Sequence, residues 1–348
     1  QAFFMIGFYT LTFLIKYAYL LRFSIFDIQG MFNHLLIGFV DPQLGYYMSV
    51  YDFRPHTVSW LIYTLISIPN QIFFIYGFLV WNKIGNFLKT LFCVFLAIEI
   101  FYWFGRGTGF GIIAIISNII AVVIVNSKIK KINLRLVLGF FFLLILGLSV
   151  FGFIKNKRAG GDIDNLQVFN TVGSSVIEDH FVFSFIPEFF VQTYMHSTVY
   201  LTQGYFHLGI ALNSDIPFTS TFMFGNNPAS LNITKIFGVD LWERTYMSKL
   251  YFLKGIDDVA KWHSAYLWYA NDVSFFGVPI ILFFLSLFLG CAYVHILNFD
   301  DLLSKIYFVI VFNSFLFLFA NNTYLYQVFY SFLIISVIWI FSRFFNFR

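Results

Sequence analysis

The chain has 348 residues, of which 59% are hydrophobic, 23% aromatic and only 11% charged, with a mean hydropathy of +0.80. A soluble globular domain carries roughly a quarter charged residues, so a soluble enzyme is excluded and lipid is the solvent for most of this surface. The formal charge of +4 is too small to point to nucleic acid, and the two cysteines, Cys93 and Cys291, both inside apolar runs, offer neither a disulfide framework nor a cysteine-rich metal site.

Taken in chain order, apolar runs at 2–21, 57–81, 87–104, 110–126, 136–154, 275–297, 306–320 and 324–341 read as membrane-crossing helices, since about 20 apolar residues cross a bilayer. The predicted fold class is an all-α integral membrane protein, a polytopic helical bundle with about eight spans in this chain. Gln1 stands inside an apolar run with no initiator Met, which predicts one or more leading helices in the full protein; no cleavable signal peptide is recognised. Between the runs lie a loop at 22–56, a tight turn at 105–109, a basic turn at 127–135 and a long mixed region at 155–274. The long region holds half-apolar stretches, notably 181–213, which predict short interfacial or re-entrant helices packed against the bundle. Three regions follow: N-terminal transmembrane helices over 1–154, the large loop region over 155–274, and C-terminal transmembrane helices over 275–348.

Lysine and arginine in short loops orient such a bundle, the cytoplasmic loops carrying the excess. Lys128, Lys130, Lys131 and Arg135 cluster after the fourth span, so that turn reads as cytoplasmic, and alternation puts Lys83, Lys89, Lys305, Arg343 and Arg348 inside as well. The loop at 22–56, the turn at 105–109 and the whole of 155–274 then fall on the outer face. All carboxylates except Glu99, Asp300 and Asp301, and all histidines except His295, fall there too. Polar chemistry is expected on that side.

The first site candidate is Gly105-Arg106-Gly107-Thr108-Gly109-Phe110-Gly111. It lacks the Gly-Lys-Ser/Thr of a Walker A loop and does not match GxGxxG. Two readings stand: backbone amides and the Arg106 guanidinium aimed at an anion, or a tight hairpin with an interfacial arginine reaching headgroups. Arg158 and Arg244, with Arg54 in the first loop, are further outer-face arginines. As a set they suit a diphosphate, because the guanidinium binds phosphate oxygens bidentately and stays charged. Singly, each is more simply explained by headgroup contact or by local pairing, such as Arg244 with Glu243 or Asp240.

Next comes Trp262-His263-Ser264-Ala265-Tyr266-Leu267-Trp268-Tyr269-Ala270-Asn271-Asp272, leading through Gly277 and Pro279 into the sixth span. On a helix Trp262, Tyr266 and Tyr269 share one face, a platform for sugar rings; an interfacial aromatic belt explains them equally well. His263 and Asp272, roughly opposite one another on that helix, are harder to place in a belt. A third cluster runs Tyr194, His196, Tyr200, Thr202, Gln203, Gly204, Tyr205 and His207, after the acidic Glu178-Asp179-His180 and Glu188. Its carboxylates and histidines are candidates for a general base where neighbours bring the pKa near the working pH, against the commoner reading as solvated charges. Asp162-x-Asp164 is a weak pair of oxygen ligands for a divalent cation and reads more simply as a polar turn. Lys16 and Glu99 are ionisable residues inside spans; Lys16 is near enough to an end to snorkel, and Glu99 lies within a turn or two of Arg106, which favours structural pairing. No inverted repeat or matched pair of broken spans is evident, which speaks against a transporter.

This pattern resembles the Wzy-type O-antigen and capsule polymerases, the oligosaccharide repeat-unit polymerases of the bacterial inner membrane. The resemblance is carried by the many-span layout with one large loop, Arg106 in GRGTGFG, Tyr200-Leu-Thr-Gln-Gly-Tyr205, and Trp262-His-Ser-Ala-Tyr266 followed by Asn271-Asp272 and Gly277. It implies a GT-C-like bundle with a periplasmic loop region, moving a growing glycan from undecaprenyl diphosphate onto a lipid-linked repeat unit at the periplasmic face. Such a reaction needs cations for a diphosphate leaving group and one base for an acceptor hydroxyl. Under the resemblance Arg106, Arg158 and Arg244 take the diphosphate, and Tyr205, Trp262 and Tyr266 the glycan. The base is drawn from His263, Glu178 or Asp272, with His196 and His207 as weaker choices. No cofactor and no metal are expected. The expected partners are undecaprenyl-diphosphate-linked repeat units, the lipid bilayer and a chain-length regulator protein, with no nucleic acid. An O-antigen ligase-like glycosyltransferase and a lipid-linked oligosaccharide flippase or transporter are the alternatives, and the sparsely charged spans argue against the second.

Overall fold

The computed structural model describes the backbone of residues 2–21, 26–50, 57–127, 134–158, 175–222, 225, 233–234, 236–256, 263–319 and 323–344. Among these residues there are twelve α-helices and no strand. The first seven are α1 (Ala2–Leu21), α2 (Ile28–Val40), α3 (Pro42–Val50), α4 (Thr57–Leu79), α5 (Asn86–Gly105), α6 (Phe110–Ser127) and α7 (Leu134–Arg158). The remainder are α8 (Glu188–Leu212), α9 (Tyr246–Lys254), α10 (Ala265–Phe299), α11 (Leu302–Leu316) and α12 (Thr323–Phe344).

Helices cover the eight apolar runs, and the stretch read as a loop at 22–56 holds two more. Its polar residues start them: the Asp27 carboxylate accepts from the Gly30 N–H at 2.8 Å ahead of α2. Asp41 accepts from the Leu44 N–H at 3.0 Å, with Pro42 in the first helical position of α3, where its missing N–H costs nothing. The long region carries the 25-residue α8, with Glu188 in its first turn where a carboxylate suits the exposed amides, and α9, capped by the Thr245 hydroxyl.

Among the described residues three helices are long and apolar enough to cross a membrane: Asn86–Gly105, Leu138–Arg158 and Ala265–Phe299. Their outward faces are greasy at helical spacing. Leu138, Phe141, Phe142 and Ile145 are exposed on α7, and Phe276, Ile280, Phe283, Leu287 and Val294 on α10. A stripe of that length turned outward is the reverse of a soluble helix and matches a hydrocarbon solvent.

The chain forms two compact units, Gln1–Ile120 with Lys130–Val199, and Ala121–Ile129 with Tyr200–Arg348. In the first, Tyr9 of α1, Phe73 and Phe74 of α4, and Phe92 and Phe95 of α5 form a buried aromatic cluster. The Tyr9 hydroxyl donates to the Phe95 carbonyl at 3.1 Å, which satisfies its polar end inside the cluster. In the second, α11 packs between α10 and α12. Trp339 stacks on Tyr307 at 4.7 Å and donates to the Ser304 hydroxyl at 2.8 Å, while Arg343 reaches Asp301 at the head of α11.

Helix α10 is not continuous. Ser274 has φ 63° and ψ 171°, which separates a short segment, 265–273, from the long apolar one that follows. Pro279, lacking an N–H, sits in the turn after the break.

Candidate functional site

In the first unit α5 closes in a Schellman turn. The Thr108 N–H donates to the Trp103 carbonyl at 3.2 Å and the Gly107 N–H to that of Phe104 at 2.8 Å, with Gly107 at φ +62°. A β-carbon on Gly107 would be strained and would also strike the Pro42 carbonyl of α3. The other glycines of the string face packing partners. Gly105 lies against Leu35 and the backbones of Gly38 and Gly45, Gly109 against Phe151, and Gly111 against the Trp103 indole. The alternating glycines thus let α2, α3 and α7 come close to the end of α5, and Arg106 is the charged member left in the turn.

The Arg106 guanidinium lies over the rings of Trp103 at 5.3 Å and Tyr102 at 5.6 Å. Its Nε is buried without a hydrogen-bond partner among the described residues. Trp103 Nε1 donates to the buried Glu99 at 3.1 Å, so the link from Glu99 to Arg106 runs through the indole. His34 of α2 is buried nearby, and its pKa is lowered by burial first and then by the Arg106 charge.

Arg158 ends α7 with its guanidinium 3.7 Å from the centre of the Tyr46 ring. Gly107 backs onto the same Tyr46, so the ends of α5 and α7 converge on α3. Lys155, Lys157 and Arg158 occupy the last turn of α7, where the helix carbonyls favour cations. Alongside them α8 packs on α7 through Gly152, and the Ser197 hydroxyl donates to the Leu148 carbonyl at 2.9 Å. The His196 pKa is pushed down to about 4, by burial first and then by Lys155 and Arg158. The end of α5 thus carries Arg106 beside His34, and the end of α7 carries Arg158 beside His196, with both imidazoles pushed towards the neutral form. Guanidiniums at helix ends are groups of the kind that can bind an anion. Glu178 stands exposed ahead of the single-turn helix Phe181–Phe185.

In the second unit Tyr205 and Tyr266 come together, their rings 6.0 Å apart, and the Tyr205 hydroxyl pKa is raised by burial and then by Tyr266. His263 and Ser264 precede α10, so His263 is not on the helix that carries Asp272. Its ring is fully buried 5.0 Å from that of His207, and its pKa is pushed down to about 3, by burial first and then by His207. Asp272 is held by the chain before α9: its Oδ1 accepts from the Thr221 hydroxyl and from the Gly225 N–H at 2.9 Å. Arg244 lies over the Phe222 ring at 5.4 Å, one residue from Thr221.

Arg54, Asp162, Asp164 and Trp262 lie outside the described residues, as do the side chains of Lys16 and Arg135, the basic residues Lys128, Lys130 and Lys131, and Arg348. Among the described residues no three metal-ligating side chains gather. Sequence reasoning passed over His34, Tyr46, Lys155 and Thr221. The first two sit in the loop at 22–56, where the caps Asp27 and Asp41-Pro42 were the available signal. Thr221, like Ser220, is a residue type that bonds backbone locally, but nothing in sequence marks a partner 51 positions away. No known protein family, curated protein or solved structure matches the chain.

Proposed function

We propose that this chain is a glycan polymerase of the bacterial inner membrane, a polytopic GT-C-like bundle of about eight spans. In this reading it transfers the growing O-antigen or capsule chain from undecaprenyl diphosphate to a lipid-linked repeat unit at the periplasmic face. The observation that supports the reading is that the ends of α5 and α7, which carry Arg106 and Arg158, both reach α3: Gly107 backs onto Pro42 and Tyr46, and the Arg158 guanidinium lies over the Tyr46 ring. Arg106 Nε is buried without a hydrogen-bond partner among the described residues, which supports reading it as a group that receives an anion.

The chemistry assigned to the residues follows from their states. Arg106 and Arg158 hold the diphosphate and take up charge as the glycosyl bond breaks. In the second unit, taken by itself, Arg244 is assigned to a diphosphate and Tyr205 and Tyr266 offer aromatic faces to a glycan, with Trp262 four positions before Tyr266 in sequence. Of the three candidate bases, His263 is buried and Asp272 is occupied by Thr221 and Gly225, whereas Glu178 is open to solvent. Glu178 is therefore assigned the proton of the acceptor hydroxyl.

The test is the lipopolysaccharide or capsule gel profile of a deletion strain complemented with wild type, Arg106→Ala or Arg158→Ala. The expected outcome is lipid A core bearing a single repeat unit in the deletion, restored to a ladder by wild type only. A deletion in which no repeat unit reaches the core points instead to ligation or flipping and removes the polymerase assignment.

A further inference from the structure

The second unit contains two non-glycine residues in the left-handed region that belong to one hydrogen-bonded assembly: Phe222 (φ 56°) and Ser274 (φ 63°). At a helix break the carbonyls one turn earlier lose their helical N–H donors and need others. Here the Asn271 carbonyl accepts from the Thr221 N–H at 3.1 Å and from the Thr221 hydroxyl at 3.0 Å, and the Asp272 carbonyl from the Ser220 hydroxyl at 3.2 Å. The Asp272 side chain completes the set: its Oδ1 accepts from the Gly225 N–H and shares the single Thr221 hydroxyl proton with the Asn271 carbonyl. From the other side, Lys249 donates to the Pro217 carbonyl at 2.7 Å and to the Thr219 hydroxyl at 3.0 Å. Asn271 itself is fully buried and accepts from the Tyr246 N–H at 2.8 Å, two residues beyond Arg244.

Residues 219–222 and Gly225 are thus fixed at several points, and what the fixing presents is an exposed Phe222 ring under the Arg244 guanidinium. Backbone strain of this kind persists only where the surroundings over-determine it, and it concentrates where a side chain has to be aimed. We infer that Asp272 is a positioning residue: by holding Thr221 and Gly225 it sets Phe222, and through Phe222 the direction of the Arg244 guanidinium. The inference rests on the reading in which Arg244 takes a diphosphate. Asp272 acts through hydrogen bonds that need an acceptor oxygen and not a titratable proton, so asparagine at this position keeps its role.

The experiment uses the full chain in nanodiscs, with farnesyl diphosphate as the probe in isothermal titration and amide hydrogen exchange read at Thr221 and Gly225. Arg244→Ala, Asp272→Ala, Asp272→Asn and Thr221→Val are compared with wild type. Asp272→Ala and Thr221→Val are expected to speed exchange at both amides and to weaken binding about tenfold, as Arg244→Ala does, because a misaimed fork loses its charge-assisted bonds. Asp272→Asn is expected to restore both readouts to within about twofold of wild type, since its Oδ1 still accepts. Unchanged exchange in Asp272→Ala overturns the inference. So does fast exchange with wild-type binding while Arg244→Ala binds weakly, and so does an Asp272→Asn protein that behaves like Asp272→Ala. Should Arg244→Ala bind the probe as wild type does, the diphosphate role of Arg244 falls and the positioning role falls with it, whereas the exchange data still report whether Asp272 holds the segment.

Discussion

Replacing Gly38 by alanine tests whether the glycine crossing at the end of α5 is what seats the Arg106 turn. A β-carbon at Gly38 would overlap the Gly105 carbonyl, a backbone atom that cannot swing aside as a side chain could. Overpacking that is absorbed by small backbone shifts costs about 1–3 kcal/mol. If α2 leaves its seat instead, the burial of Met31 and Leu35 is at stake, each about 1.5–3 kcal/mol for a full side chain. The two limits bracket roughly 1–6 kcal/mol, or a fall in apparent melting temperature of about 1–8 °C for a chain of 348 residues. Heating followed by fluorescence-detected size-exclusion chromatography measures it on protein in detergent. The control is Gly139→Ala on α7, where nothing lies within 4 Å of the added carbon and alanine favours the helix. A Gly38→Ala protein that melts with wild type, or a Gly139→Ala protein that falls as far, refutes the packing account of the glycine string.

Arg106→Lys keeps the charge but loses the planar fork that lies over Trp103, and shorter glycan ladders than wild type are expected on complementation. Trp103→Phe keeps a ring beneath Arg106 but removes the donor to buried Glu99, so unfolding should show a stability loss of about 1–3 kcal/mol. His196 has its folded pKa near 4, below the ordinary value of 6.5, so the unfolded chain binds the extra proton between those limits. Its contribution is intact above pH 6.5 and is lost as pH falls towards 4. Melting temperatures of wild type and His196→Gln, compared from pH 7 to pH 4.5, should therefore converge on acidification, and parallel curves would contradict it.

The long apolar runs were legible because their signal is compositional: a stretch such as FGIIAIISNIIAVVIV can only be a buried or lipid-facing helix, and α6 occupies it. The helices in the 22–56 stretch were hidden by length, since 13 and 9 residues fall short of a span, although Asp27 and Asp41-Pro42 marked their starts. Arg106 was legible as a costly charge in a glycine-rich turn, but the reason for each glycine was not. Gly105 and Gly107 answer to Leu35, Gly38, Gly45 and Pro42, which lie 60 or more positions away in the chain. Asp272 shows the same limit more sharply. Its carboxylate suggested a base from its neighbours in sequence, whereas its bonds run to Thr221 and Gly225, partners that only the break at Ser274 brings within reach.

That break also sets an order of events during synthesis. The Thr221 hydroxyl donates to the carbonyl of Asn271, which comes 50 residues later in the chain. At about 5–20 residues per second, the ribosome delivers Asn271 roughly 3–10 s after Thr221. Until then residues 219–222 lack the carbonyls of Asn271 and Asp272, and the turn at Phe222 has only its local bond, from the Phe222 N–H to the Ser220 hydroxyl at 3.0 Å. The segment completes its bonding only after Asn271 and Asp272 are made, so protease cleavage within 219–222 of a nascent chain would gauge whether this part of the second unit has folded.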